Sequence, residues 1–148
     1  MKRLNGKAAL VTGGSRGIGK GIALRLAEEG ALVAVHYGNN QEAAAKVVRS
    51  IEEKGGKAFA VGARLESVAG VKQLIQTMEE ELTRITGDNR FDILINNAGI
   101  GTSKTLEETT EEAFDEVFAV NVKAPFFSCS KRCPYCVTKG ASLTSPPV

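Results

Sequence analysis

The chain lacks the features that would indicate a membrane protein or a nucleic-acid-binding protein. No apolar run approaches the roughly 20 residues that a membrane helix needs, and near the start the longest run covers residues 8–11. We therefore expect no signal peptide and no transmembrane segment. Nineteen Lys and Arg residues against 17 Asp and Glu residues give a formal net charge of +2, which is too balanced to indicate a nucleic-acid or anionic-membrane partner.

Proline and cysteine are also scarce, with 4 and 3 residues among 148. A chain with 43% hydrophobic and 24% charged residues has the composition of one globular domain. All three cysteines and three of the four prolines follow residue 127, where the regular apolar pattern also stops. We therefore predict one domain over residues 1–127 and a short tail over residues 128–148. Three cysteines cannot all pair within one chain, so we expect free thiols and a cytoplasmic location.

Short β-like runs alternate with longer helical patterns through the predicted domain. Strands are predicted at 8–12, 32–36, 57–61 and 91–95, and helices at 18–29, 41–53, 68–85 and from Thr110 onward. Strands joined by such helices run parallel, with helices on both faces of the sheet. The predicted fold class is α/β, a doubly wound Rossmann-type sheet of about four strands in the order 3-2-1-4. Ligands of such sheets bind beyond the carboxyl ends of the strands.

A glycine-rich segment, residues 12–19 (TGGSRGIG), joins the first strand to the first helix. Glycines permit a tight turn there, and the free N–H groups at the helix start attract a pyrophosphate. This context predicts dinucleotide binding. Residues 14–20 also fit the G-x-x-x-x-G-K pattern of nucleotide triphosphatases, but Gly21 stands where a Ser or Thr would bind magnesium. A glycine turn without a ligand is the remaining alternative.

Residues 36–40 (HYGNN), after the second strand, contain no carboxylate. An acid at this position would accept the ribose 2′-hydroxyl of NAD and repel the 2′-phosphate of NADP. Its absence, together with Arg16 in the glycine loop, favours NADP over NAD. His36 is the only histidine and has no acidic cluster beside it, so we assign it no chemical role and predict no metal site.

Two amides and two glycines follow the fourth strand in residues 96–101 (NNAGIG). Such residues can tie neighbouring loops together and line a sugar pocket. With the glycine loop and the VNVK sequence at residues 120–123, this segment resembles the short-chain dehydrogenase/reductase family, in the branch of the 3-oxoacyl-carrier-protein reductases. The resemblance runs from the start of the chain to about residue 127.

The resemblance implies an oxidoreductase that transfers hydride between NADP(H) and a small carbonyl or alcohol substrate. The cofactor-binding residues that it implies are Gly13, Ser15, Arg16, Gly17, Ile18, Gly19, Asn97, Ala98 and Gly99. It also implies that Asn121 lies in a proton relay. The family usually has an Asp that touches the adenine at the position of Arg64, so that contact is not implied here.

The family also uses a Tyr and a Lys four residues apart, as are Tyr135 and Lys139. On a helix this spacing places both side chains on one face, where the ammonium lowers the pKa of the tyrosine so that it can protonate a carbonyl oxygen. By resemblance, Asn121, Tyr135 and Lys139 are the catalytic candidates.

Only 13 residues separate Asn121 from Tyr135, too few for the fifth strand and the catalytic Ser of the family. We assign no catalytic Ser, and a catalytically inactive nucleotide-binding protein is the alternative function. Without a fifth strand, the fourth would be an exposed edge, which favours oligomerisation or aggregation.

The cysteine spacing supports a minor alternative. Cys133 and Cys136 in the sequence CPYC resemble a glutaredoxin centre, and with Cys129 they have the spacing of a radical iron–sulfur site. Such sites belong to other folds, so a thiol redox protein acting through Cys133 and Cys136 is the weaker hypothesis.

Overall fold

Strands and helices alternate along the computed structural model, which describes residues 2–129, 135–138 and 141–143. The strands are β1 (Ala8–Val11), β2 (Leu32–Tyr37), β3 (Lys57–Gly62), β4 (Ile93–Asn96), β5 (Tyr135–Thr138) and β6 (Ala141–Leu143). The helices are α1 (Gly17–Glu28), α2 (Gln41–Glu53), α3 (Val68–Thr86), α4 (Glu111–Phe118) and α5 (Ala124–Cys129), with a π-helical turn (Ala119–Lys123) between the last two. In these parts of the chain, none of the helices combines the length and the apolar character that crossing a bilayer requires.

The six strands form one sheet in the order β3-β2-β1-β4-β5-β6. The first five are parallel and β6 is antiparallel to β5. The predicted class and the predicted order 3-2-1-4 are therefore confirmed. The bounds of the four predicted strands and of the predicted helices agree with the structure within two residues, because each element has a clear apolar period and a clear end signal.

Helices cover both faces of the sheet, because successive strand residues point to opposite sides. On one face, Leu10 and Ala34 pack against α3. On the other face, Val11 and Val35 pack against α1 and α2. All four of these side chains are fully buried. The sheet thus has a separate apolar cluster on each face, and the two clusters hold the strands whose ends carry the loops after β1, β2 and β4.

The prediction that the fourth strand is an exposed edge is wrong. Residues Ile93–Asn96 of β4 pair along their whole length with Tyr135–Thr138 of β5. An unpaired strand edge favours the addition of another strand, and the Tyr-Cys-Val-Thr sequence is rich in residues that favour strands. The edge of β4, which we expected to drive oligomerisation, is therefore covered by β5 of the same chain.

The same pairing corrects the predicted helix that was to carry Tyr135 and Lys139. Tyr135 is the first residue of strand β5 rather than part of a helix. Lys139 lies outside the described residues. The helical prediction used the family resemblance and the four-residue spacing, and neither takes account of the edge of β4, with which this segment pairs.

The cysteine prediction also needs a correction. Cys129, the last residue of α5, is disulfide-bonded, so it is not a free thiol. Its sulfur also lies 3.4 Å from Nδ2 of Asn96 at the end of β4. Cys133 and the side chain of Cys136 lie outside the described parts of the structure. The argument for a reducing compartment therefore loses the support of Cys129.

Candidate functional site

Helix α1 differs from the other long helices at its N-terminus. Helices α2, α3 and α4 are capped by Asn40, Ser67 and Thr110, and each of these side chains accepts a hydrogen bond from the first turn. Helix α1 begins after Arg16, whose side chain makes no such bond. The first N–H groups of a helix have no partner within it. At α1 they follow the loop at the carboxyl end of β1, and the start of a helix in this position is a common anion site.

Two glycines shape this helix start in different ways. Gly17 has φ of +55°, and a Cβ there would meet nothing within 4 Å, so the backbone borders open space. Gly19 is packed instead, because a Cβ there would run into the Gly13 carbonyl oxygen and Nδ2 of Asn97. Of the other loop residues that we predicted at the cofactor, Ile18 is 63% exposed, Arg16 is exposed and Ser15 is partly buried.

The buried hydroxyl of Thr12 joins the loop after β1 to the loop after β4. Its Oγ1 accepts hydrogen bonds from the backbone N–H groups of Asn97 and Ala98, both at 3.0 Å. It donates to the carbonyl oxygen of Ile95 at 3.2 Å. One hydroxyl thus satisfies three backbone groups. Sequence analysis assigned no role to Thr12, although a Thr between a buried strand and a glycine pair was a usable signal.

The side chain of Asn97 completes this connection. Its Nδ2 donates to the carbonyl oxygens of Thr12 and Gly13, at 3.1 and 3.2 Å. The prediction that amides after the fourth strand tie neighbouring loops together is confirmed for Asn97. These two bonds fix the carbonyl groups of residues 12 and 13, and therefore the path of the backbone from β1 to α1.

His36 supports the glycine loop from the other side. Its Nδ1 accepts a hydrogen bond from the Gly13 N–H at 3.0 Å, and its Nε2 lies 3.0 Å from the Ala63 carbonyl oxygen. The His36 carbonyl oxygen accepts from the Gly14 N–H at 2.9 Å. Burial lowers the pKa of the His36 imidazole. Sequence analysis gave this residue no role, although a single polar residue in an apolar strand was a signal for a buried polar contact.

The carboxyl ends of β2 and β3 bring cationic and amide groups together. Nη1 of Arg64 donates to Oδ1 of Asn39 at 2.7 Å, and Arg64 also pairs with Glu66 at 2.9 Å. Asn40 is used as the cap of α2. Arg64, which stands where the family usually has an acid, thus reaches the loop after β2, where residues 37–40 contain no carboxylate.

Asn121 lies at the centre of the π-helical turn and holds the loop that follows β4. Its Oδ1 accepts from the Ile100 N–H at 2.9 Å, and its Nδ2 donates to the Ile100 carbonyl oxygen at 2.8 Å. A Cβ built on Gly99 would lie 3.3 Å from Oδ1 of Asn121. Short π-helical turns are frequent at functional sites because they re-aim a side chain. Asn121 therefore joins the same loop cluster as Asn97, Ala98 and Gly99.

The backbone of Tyr135 lies away from this cluster. It pairs with Ile93 at the amino end of β4, whereas Thr138 pairs with Asn96 at the carboxyl end. Three residues of strand correspond to about 10 Å, so the Tyr135 backbone lies about that far from the level of the loops. Ser128, which also lies between Asn121 and Tyr135, is buried, and its hydroxyl donates to the Ala124 carbonyl oxygen at 2.7 Å.

Comparison with known protein families gives one match over most of the chain. The profile of the short chain dehydrogenase family matches residues 7–142. Hydroxynaphthalene reductase arp2 of Aspergillus fumigatus is 48% identical over 124 residues, which cover 84% of this chain and 43% of that protein. Elsinochrome reductase 1 of Elsinoe fawcettii is 43% identical over 125 residues, covering 84% of this chain and 45% of that protein. The chain thus spans less than half the length of these curated relatives.

Solved structures agree with this match. The angucycline C-6 ketoreductase LanV with bound NADP has a TM-score of 0.88 and 47% identity, and the superposition covers 91% of this chain and 55% of that one. The landomycin C-6 ketoreductase LanV with bound NADP and rabelomycin has a TM-score of 0.89 and 45% identity, covering 97% of this chain and 62% of that one.

Proposed function

Since the chain belongs to the short-chain dehydrogenase family, we propose that it binds NADP(H) at the glycine loop and serves the NADP(H)-dependent reduction of a carbonyl compound. The observation that carries this proposal is that no side chain caps the start of α1. The hydrogen bonds of Thr12, Asn97 and His36 fix the loop that leads into this helix. A dinucleotide pyrophosphate is the ligand that this arrangement fits best.

The residues present fit the cofactor. Gly17 leaves open space where a side chain would otherwise fill the cradle, and the unpaired N–H groups of the first turn of α1 supply donors for phosphate oxygens. Ser15, Arg16 and the exposed Ile18 would contact the cofactor from the loop. Asn97, Ala98 and Gly99 would border its ribose from the loop after β4.

The charges at the carboxyl ends of β1, β2 and β3 favour NADP over NAD. Residues 37–40 contain no carboxylate, and Arg64 is hydrogen-bonded to Asn39 in that loop. Arg16 is exposed at the start of α1. A 2′-phosphate would therefore meet guanidinium groups, although Glu66 offsets part of the charge of Arg64. The two ketoreductase structures that were solved with bound NADP support the same choice.

We propose a ketone on a small molecule as the substrate class, because hydroxynaphthalene reductase and the C-6 ketoreductases are among the similar proteins. When bound, NADPH supplies hydride to such a carbonyl carbon. In this proposal Tyr135 donates a proton to the carbonyl oxygen, Lys139 lowers the pKa of that tyrosine, and Asn121 belongs to the proton relay. The proposed location is the cytoplasm, which fractionation of cells that express the chain would test.

A second candidate function is nucleotide binding without turnover. It is favoured by one specific observation, the pairing of Tyr135 with Ile93 at the amino end of β4. A proton donor has to lie within hydrogen-bond reach of the atom that it protonates. In this arrangement the chain would bind the cofactor within residues 1–127, while β5 (Tyr135–Thr138) covers the edge of β4.

Thermal unfolding of the purified chain with NADPH or NADH tests the proposal. A ligand at 100 times its dissociation constant adds about 2.7 kcal/mol to the free energy of unfolding, so we expect NADPH to raise the midpoint more than NADH does. An unchanged midpoint with both nucleotides would reject the proposal. Loss of NADPH absorbance in the presence of a ketone then separates the two candidates, because turnover supports the reductase and binding without turnover supports the second function.

A further inference from the structure

Among the buried polar side chains that the structure describes, His36 is the one that is ionisable. It is the second-last residue of β2 and is only 2% exposed. By the alternation of the strand it lies on the same face as Ala34, which packs toward α3. The proposed cofactor chemistry does not use this imidazole, so its burial at the glycine loop requires a separate explanation.

The two ring nitrogens of His36 have different partners, and these partners fix its protonation. Nδ1 receives the N–H of Gly13, so it has to carry a lone pair. Nε2 faces the carbonyl oxygen of Ala63, which can only accept, so Nε2 carries the proton. This is the neutral imidazole with one defined tautomer. The imidazolium would present an N–H to the N–H of Gly13, and that hydrogen bond would be lost.

We propose that neutral His36 is a positioning residue for the phosphate-binding loop. The loop binds the dinucleotide phosphates well only while Nδ1 of His36 accepts the hydrogen bond from the Gly13 N–H. This inference rests on the proposed NADP(H) binding. His36 spans the carboxyl ends of three adjacent strands, because it belongs to β2 and bonds the segments that follow β1 and β3. Asn97 holds the carbonyl side of Gly13, so the two residues fix both sides of one peptide segment.

The surroundings of His36 keep it neutral. The segments that contact it, residues 12–14 after β1 and residues 61–63 at the end of β3, contain no titratable side chain. The face of α3 that packs toward β2 is apolar. Arg64 and Glu66, which follow Ala63, pair with each other, and Arg16 is exposed. Burial lowers the pKa of His36, and the bond to the Ala63 carbonyl opposes this only in part.

The tautomer can be measured directly, because the chain contains one histidine. Nitrogen-15 NMR of the full chain at neutral pH should show a protonated Nε2 and an unprotonated Nδ1, coupled to a hydrogen-bonded Gly13 amide. A protonated Nδ1 at neutral pH would overturn the inference. This measurement needs no cofactor, so it does not depend on whether the proposed function is right.

Two matched variants separate the two hydrogen bonds. In His36→Asn the amide oxygen takes the place of Nδ1 and can still accept from Gly13, whereas His36→Gln places its amide group near Nε2 and leaves Gly13 without an acceptor. Titration with NADP⁺ at neutral pH should give an affinity close to that of the wild type for His36→Asn. For His36→Gln we expect an affinity about tenfold weaker, the cost of one lost bond to a buried donor.

The pH profile distinguishes positioning from a purely structural role. Burial lowers the pKa of His36, so wild-type affinity for NADP⁺ and for NAD⁺ should fall only as the pH drops below the ordinary histidine value of about 6.5, and His36→Asn should lose that part of the dependence. NAD⁺ lacks the 2′-phosphate, so a fall common to both ligands reports on the protein. If the wild type and His36→Gln bind the nucleotides with equal affinity, the inference about His36 is overturned but the proposed function is not. A wild-type chain that binds neither nucleotide would overturn the proposed function as well.

Discussion

Two regions of the molecule differ in whether a sequence motif forms the structure that it predicts. One is the pair of loops after β1 and β4, and the other is the segment that follows α5. At the first two loops, polar side chains at the strand ends satisfy backbone groups of the neighbouring loop, as Thr12 and Asn97 do. In the segment after α5, the residues that resemble a catalytic helix instead form β5 against β4. The hydrogen bonds between the neighbouring strand ends are in place, whereas the Tyr135 backbone pairs at the amino end of β4, away from them.

This difference shows how far a local motif can specify a site. The glycine loop needs a strand, a helix start and one adjacent strand end, and all of them lie within residues 2–129. A Tyr-Lys pair needs a helix held against the sheet by further elements. Where no other element covers the edge of β4, a segment that pairs with it as a strand satisfies its backbone N–H and C=O groups. A sequence motif therefore predicts chemistry only where the surrounding elements also form.

The largest effect on this comparison is expected from Gly19→Ala. The added methyl group would run into the Gly13 carbonyl oxygen and Nδ2 of Asn97. Overpacking of this kind costs about 1–3 kcal/mol and displaces the loop. We expect the midpoint of thermal unfolding to fall and NADP⁺ binding to be lost in a calorimetric titration. Gly21→Ala is the matched control, because a Cβ there meets nothing within 4 Å, and it should leave both quantities unharmed.

Thr12→Val is expected to have the next largest effect. It removes the hydroxyl that accepts from the N–H groups of Asn97 and Ala98. The Asn97 N–H keeps the Ile95 carbonyl oxygen at 3.1 Å, so the partly buried Ala98 N–H is the donor that loses its acceptor, at a cost of about 1 kcal/mol. Denaturant unfolding should show that loss, while Thr12→Ser should retain most of the stability. If Thr12→Val unfolds at the wild-type denaturant concentration, the hydroxyl does not hold the two loops together.

Asn121→Ala tests the contact between the π-helical turn and the loop after β4. It removes both hydrogen bonds to Ile100, which are exposed and contribute about 0.5–1.5 kcal/mol each. We expect hydrogen exchange of the Ile100 amide to become faster, with little change in the exchange of the core strands. Protection of that amide equal to the wild type would contradict the role given to Asn121.

Acidification should destabilise the chain through His36. Its pKa is lowered in the folded protein, so the unfolded chain takes up a proton first as the pH falls below about 6.5. The His36 contribution to stability is therefore complete above that pH and decreases below it, by at most about 1.4 kcal/mol near pH 5.5. The free energies of unfolding of the wild type and of His36→Asn, each measured above about pH 6.5 and near pH 5.5, test this loss of stability. An identical pH dependence in both would contradict it.

Tyr135→Phe should have the smallest effect on the cofactor site. Because Tyr135 pairs with Ile93 at the amino end of β4, we expect the dissociation constant of NADP⁺ to remain within about twofold of the wild type, a change below 0.5 kcal/mol by the usual conversion. A tenfold weaker affinity would place the Tyr135 side chain at the cofactor and remove the contrast between the two regions.

Sequence analysis predicted the parts of the fold that depend on short-range patterns. The helix at residues 41–53 was predicted from its apolar period and glycine end, and the strand order around β1 from the doubly wound plan that alternating strands and helices imply. Both are confirmed. The bond between His36 and Gly13 could not be predicted, because it depends on how two strands align 23 residues apart in the chain. The strand at Tyr135 was missed because its formation depends on what else covers the edge of β4.

Calorimetric titration of the wild-type chain with NADP⁺, repeated with NAD⁺ and with Gly19→Ala, tests the central claim most directly. The account predicts one saturable site that binds NADP⁺ more tightly than NAD⁺ and that Gly19→Ala abolishes. Absence of saturable binding by a cooperatively folded wild-type chain, or binding that Gly19→Ala leaves unchanged, would contradict the claim that the glycine loop of this chain is an assembled cofactor site.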